Sequence, residues 1–144
     1  MNAVPSVKMR ASVLELQAVM REMPQAEGLV TTHFFADGMY ARALFRPAGT
    51  LIVGKVHKKE HFYIVARGRV QIEQEVFEAG TVLVSQPGTK RAVLALEDSI
   101  CLTVHRTDLT VLDAIEKEIV EEDTLALFNS SNELKQPQLS GKVG

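Results

Sequence analysis

Cysteine is almost absent from this 144-residue chain. Cys101 is the only one, so no internal disulfide can form, and the composition fits a reducing compartment. An excess of positive charge is also missing. The 16 Lys and Arg stand against 18 Asp and Glu, a net charge of -2, so a general nucleic-acid binder is not expected. No stretch reaches the roughly 18 apolar residues of a membrane helix, and none after the first lysine has the form of a signal peptide. The expectation is a cytoplasmic protein without a membrane partner. There is no G-x-S-x-G elbow, no G-x-x-x-x-G-K-[ST] loop, no H-E-x-x-H helix and no internal repeat, which removes the common hydrolase, nucleotide and metalloprotease signatures.

What is present fits one domain with its own core: 46% hydrophobic and 24% charged residues. Residues 1–27 read as an arm and a helix. Ser12 and Glu15 have capping-box spacing, Val13, Leu16, Met20 and Met23 form a stripe, and Pro24 ends it. Residues 28–107 read as short β-branched and aromatic runs punctuated by turn residues. The expected strands are Leu29 to Phe35, Met39 to Phe45, Thr50 to His57, His61 to Ala66, Arg69 to Glu73, Thr81 to Ser85, Arg91 to Leu96 and Ile100 to His105. So many short strands imply a closed barrel or jelly roll, because an open sheet would leave long edges. Residues 108–128 read as an acidic helix capped by Asp108, with Leu112, Ile115 and Ile119 on one face and Leu125, Leu127 and Phe128 able to dock. Six acids between Asp113 and Asp123 face one base, the pattern of a solvated face. Residues 129–144 lack apolar periodicity and read as a flexible tail.

Chemistry-bearing side chains concentrate between Lys55 and Gly68, read K-V-H-K-K-E-H-F-Y-I-V-A-R-G. Strand alternation would put Lys55 and His57 on one face, and His61, Tyr63 and Val65 on one face. Lys58, Lys59 and Glu60 read as a solvated turn, and Glu60 is the one carboxylate beside the cluster, a weak candidate for a general base. Cys101 lies mid-strand and reads as a buried, inert thiol. The turn from Gly88 to Arg91 has amides and two cations that could meet an oxyanion.

In this β context the order Gly49, His57, His61, Gly68, Gly80, Pro87-Gly88 resembles the two-part signature of the cupin superfamily, G-x5-H-x-H-x3,4-E-x6-G and G-x5-P-x-G-x2-H-x3-N. Anchored on its glycines, the first motif places Lys55 and His57 at its histidines and His61 at its glutamate. The second places Arg91 at its histidine and Ala95 at its asparagine. The resemblance, over Gly49 to His105, implies an all-β, cupin-like barrel or jelly roll with an N-terminal and a C-terminal helix, paired as a homodimer. That family's motif residues usually hold one divalent metal; in this chain His57 and His61 could hold such an ion (Zn, Fe, Ni or Mn) with His105, at the end of the last strand, or His33, from an early one, as the third ligand.

The residues themselves assemble a cationic pocket. Lys55, His57, His61, Tyr63 and Arg91 are donors suited to a small polar or anionic molecule, and binding such a ligand is the leading expectation. One rival is a metal-dependent cupin enzyme of dioxygenase, isomerase or lyase type. The other is a scaffold that interacts through the acidic helix.

Overall fold

The computed structural model describes residues 7–20 and 27–121, with side chains from residue 13 onward in the first segment. The expected helix end at Pro24, the docking of Leu125, Leu127 and Phe128, and the tail 129–144 lie outside the described residues.

The first helix, α1, spans Val7–Met20. It starts upstream of Ser12, which therefore lies inside the helix and not at its cap. Lys8, Met9, Arg10 and Ala11 are strong helix formers and carry the helix back past a weaker capping signal. Val13, Leu16 and Met20 are half-buried as a stripe, with Gln17 the most buried residue among them.

Nine strands follow among the described residues: β1 (Val30–Ala36), β2 (Met39–Arg46), β3 (Leu51–Val53), β4 (His61–Arg67), β5 (Arg69–Ile72), β6 (Glu75–Glu78), β7 (Val82–Ser85), β8 (Ala92–Ala95) and β9 (Ser99–Arg106). They form a five-stranded sheet in the order β1-β2-β9-β4-β7 and a four-stranded sheet in the order β3-β8-β5-β6. Every pairing is antiparallel. The core joins the sheets face to face, with Tyr63, Val65, Leu83 and Cys101 from the first and Val70, Ile72 and Val93 from the second. This is the all-β jelly roll that the strand spacing implies, with a helix on either side of it in the chain.

Two strands differ from expectation. β6 was not expected, because Glu75 and Glu78 flank only two apolar residues and the hairpin turns at Glu73, which takes a positive φ of 58° without a glycine. β3 ends at Val53, well short of His57. The Gly54 amide still donates to the Arg91 carbonyl (2.9 Å), after which the chain leaves the sheet.

It leaves to meet α2 (Leu112–Ile119). Leu112, Ile115 and Ile119 do share a face, and Ile115 and Ile119 are buried against Tyr40 of β2. Asp108 is not the cap: the helix begins four residues later, behind Val111, and no side chain caps it. The Leu109 amide instead donates to Thr107 Oγ1 (3.1 Å), and this local turn replaces the expected cap.

The turn between β4 and β5 depends on Gly68 at φ +80°, packed on the Asp98–Ser99 backbone. Ser99 Oγ accepts from the Arg69 amide (3.0 Å) and donates to the Glu97 carbonyl (2.8 Å). A Cβ on Gly68 would collide with Ser99 Oγ, the Asp98 carbonyl and Ser99 Cα, whereas one on Gly80, also left-handed, would meet nothing within 4 Å. Gly68→Ala should therefore cost roughly 3 kcal/mol in urea unfolding, and Gly80→Ala only about 1 kcal/mol. Equal losses would contradict this account of the turn.

Candidate functional site

His61 opens β4 and His105 lies near the end of β9. Phe62 pairs with Val104, so one step further along the antiparallel register His61 and His105 stand opposite each other on the inner face. His57 arrives from a different direction. It lies outside any strand and forms an isolated antiparallel bridge with Val120, just past α2. The Lys58 amide donates to the Ile119 carbonyl (2.7 Å), the Glu121 amide to the Val56 carbonyl (2.8 Å), and the Gly88 amide to the His57 carbonyl (3.0 Å). The loop is thus held on both sides, and the Gly88 amide serves the protein's own backbone.

The three imidazoles stack, with centroids 4.2 Å apart for His57 and His61, 4.7 Å for His57 and His105, and 4.2 Å for His61 and His105. One nitrogen from each lies within 4.8 Å of the others. His57 Nδ1 is 2.7 Å from His105 Nε2. His61 Nδ1 lies 3.0 Å from the Lys59 carbonyl, which only accepts, so that nitrogen carries the proton and Nε2 keeps its lone pair. His105 Nδ1 is buried without a partner.

All three rings are held neutral. Burial pushes His57 well below the usual imidazole range, helped by His61, His105, Arg42 and Arg91. Burial also lowers His61 against a smaller opposing effect of the Lys59 carbonyl, and Arg91 and Arg42 lower it further. His105 is pushed down to about 3 by burial, then by His61, Arg42 and Lys59.

The other expected site residues separate. Tyr63 points inward, two residues from His61, with the Arg91 guanidinium 5.4 Å above its ring. Burial raises its phenol far above the ordinary value, so it is a neutral donor. Arg91 donates to Ser85 Oγ at 2.6 Å. Lys55 does not share a strand face with His57, because β3 has already ended; its Nζ donates to Glu116 Oε1 on α2 at 2.9 Å. Lys59 approaches Glu118 Oε1 at 3.6 Å, and Lys58 Nζ donates to the Lys117 carbonyl at 2.9 Å, so this lysine pair serves α2 and is not a free turn. Glu60 is exposed and accepts from Gln86 (2.8 Å), away from the imidazoles as a base. His33 is not part of the cluster, its Nδ1 lying 2.7 Å from Tyr40 Oη.

Sequence reasoning missed Arg42 and Arg46. Both share the inward parity of Tyr40 and Leu44 on β2, and Arg46 is buried. The signal was there in the alternation of M-Y-A-R-A-L-F-R, but arginine on a strand reads as a solvent-facing residue.

Two facing antiparallel sheets are the architecture that the resemblance implied, while the third imidazole is His105 of β9 and the second motif's histidine position holds Arg91. The fold is cupin-like. No protein-family model matches the sequence, and no curated protein is recognisably similar to it. Among solved structures the chain is similar to an RmlC-like cupin protein from Ralstonia eutropha, at 19% identity over 59% of this chain and 60% of that one, with a TM-score of 0.49. A putative acetylacetone dioxygenase from Methylibium petroleiphilum is 12% identical over 55% of this chain and 62% of its own, with a TM-score of 0.47. KdgF from a Halomonas species is 17% identical over 58% of this chain and 84% of its own, with a TM-score of 0.48. The matched part of this cupin-like chain thus spans about three fifths of the first two structures. These likenesses concern chain path; the chemistry rests on the side chains above.

The neutral imidazoles make stability depend on pH. In the unfolded chain each histidine takes a proton near its ordinary value of 6.5, whereas the folded cluster resists protonation to lower pH. Below about 6.5 the unfolded state binds more protons, so stability falls as pH falls. For His105 alone the loss between pH 7 and pH 5 is about 2 kcal/mol. Urea unfolding of the metal-free protein at the two pH values should show at least that decline, and a flat profile would overturn the neutral cluster.

Proposed function

We propose that this cupin-like barrel binds one divalent transition metal on His57, His61 and His105 and uses the centre to hold a small anionic molecule. The observation that carries the reading is the cluster itself: three neutral imidazoles with nitrogens within 4.8 Å of one another. His57 Nδ1 and His105 Nε2 share one proton across 2.7 Å, and a cation of the zinc, iron, nickel or manganese type that displaced it would meet both lone pairs together with that of His61. The donor set fits. His61 Nε2 is free because Nδ1 is engaged, and His57 Nδ1 and His105 Nε2 already converge. A bound metal would supply Lewis-acid polarisation of the anion it holds.

The protein's own residues select that anion. Arg42 and Arg91 both act electrostatically on His57 and His61, and Tyr63 offers a neutral hydroxyl. The binding reading is favoured over the enzyme reading because the one carboxylate expected to move protons, Glu60, is exposed and bonded to Gln86. The scaffold reading loses support because Glu116 and Glu118 of α2 are engaged by Lys55 and Lys59 of the same chain. We place the protein in a reducing, cytoplasmic setting on the strength of its single buried thiol, Cys101.

We also propose a homodimer that covers the outer face of the five-stranded sheet. Across it the registers align Phe34, Ala41, Val104, Phe62 and Val84 in one apolar row, with Phe34 53% and Phe62 48% exposed. An apolar row that crosses all five strands is complementary to its own copy, with Thr32 and exposed Arg106 on the same face.

Two measurements test these readings. Metal analysis of protein purified without a tag and titrated with Zn²⁺ should give one equivalent per chain, with His105→Ala weakening binding about 100-fold or more and Glu60→Ala leaving it unchanged; a wild-type protein that takes up no metal rejects the centre. Light scattering after size exclusion should give a dimer that Phe62→Glu converts to monomer. A wild-type monomer at micromolar concentration rejects the dimer.

A further inference from the structure

The five-stranded sheet that carries His61 and His105 contains no Asp or Glu in any of its strands. Its inner face carries guanidiniums instead. Arg46 is 5% exposed, and its Nε and Nη1 have no hydrogen-bond partner. Tyr63 is 7% exposed, and its hydroxyl has no hydrogen-bond partner. The Arg91 guanidinium lies 5.4 Å above the Tyr63 ring, and Arg46 acts electrostatically on the same phenol from further along the inner face. Arg42 lies in the field of Arg46 as well. The acids that act on these arginines do so from outside the sheet, Glu116 on Arg42 and Glu73 on Arg91.

An arginine cannot discharge itself by losing a proton, so a buried guanidinium with two unmet donors is costly until an anion meets it. A carboxylate matches the guanidinium fork, and its remaining lone pairs can accept from the phenol. Position separates Arg46 from the imidazoles, with Tyr63, opposite Thr103, lying between them. Arg46 pairs with Ser99 and Tyr40 with His105, at opposite ends of β9, which is roughly 20 Å of strand at about 3.3 Å per residue, less the reach of the long side chain.

We propose that Arg46 anchors a second oxyanion subsite inside the barrel, with Tyr63 and Arg91 lining the way to it from the histidines, so that the ligand is an elongated dicarboxylate with one acidic group at the histidines and the other at Arg46. The position of the first group rests on the function proposed above; the subsite itself does not.

The test is calorimetric titration of the full chain, Zn²⁺-loaded and EDTA-treated, with dicarboxylates from malonate to adipate and with monocarboxylates of matched length. The best dicarboxylate should bind about tenfold or more tightly than its monocarboxylate partner. Arg46→Met should abolish that preference, leave Zn²⁺ stoichiometry and monocarboxylate affinity intact, and raise the ligand-free melting temperature, because an unpaired charge has left the interior. An arginine with a merely structural role would lower it. Arg46→Gln gives the same readout if Arg46→Met does not fold, lowering dicarboxylate affinity and sparing the monocarboxylate. No preference in the wild type, or one that survives either substitution, overturns the subsite. Absent Zn²⁺ binding with the preference intact refutes the metal centre and leaves the subsite standing, whereas Zn²⁺ binding without the preference refutes the subsite alone.

Discussion

The register of β4 against β9 is the constraint on which the rest depends. A slip of one residue would turn His61, Tyr63 and Val65 outward and bring Phe62 and Ile64 in. Hydrophobicity alone does not forbid that slip, because the outer row through Phe62 and Val104 is more apolar than the inner one. The lock lies at the other end of the pair. Val65 and Cys101 face each other deep in the core, the register shifts between Val65 and Arg67, and Gly68 then packs onto Ser99, whose hydroxyl ties the turn to Arg69 and Glu97. A bulge followed by a backbone contact that only glycine can make leaves one solution for the strand, and that solution points the imidazoles inward.

The third histidine obeys a different constraint. His57 follows a strand that has stopped and is placed by the segment after α2, through the Val120 bridge and the bonds to Ile119 and Glu121. α2 is itself anchored by Ile115 and Ile119 on Tyr40, next to His105 in the register. Burial of two isoleucines at the barrel mouth therefore determines where a loop imidazole sits, and the Lys55 to Glu116 pair adds a polar tether. Packing sets the site here before any ligand does.

The strands were largely legible in the sequence because glycines and prolines mark turns with a steric mechanism that needs no tertiary context. β6 was not, since its turn uses Glu73 at positive φ and its residues are half charged. His61, Tyr63 and Arg91 were legible from parity and spacing. Lys55 was misplaced because alternation was carried past Val53, and no local signal tells a strand that a helix more than fifty residues later will draw its end away. Arg42 and Arg46 were invisible for the opposite reason: their parity was plain, but which side of the sheet faced inward was not, and the apolar side was the natural guess.

That inversion also ties the two halves of the site together. Desolvation drives the imidazoles neutral, with His105 down to about 3, so they contribute lone pairs and no charge. The guanidiniums cannot respond in the same way and remain cationic under the same burial. The inner face thus carries neutral nitrogen donors at the histidine end and fixed positive charge from there along β2 to Arg46. A divalent ion on the histidines would add to the positive field, not relieve it, since no carboxylate of that sheet opposes it. On the function proposed above, metal binding would therefore favour a ligand with negative charge, since Glu116 and Glu73 reach the arginines only from outside the sheet.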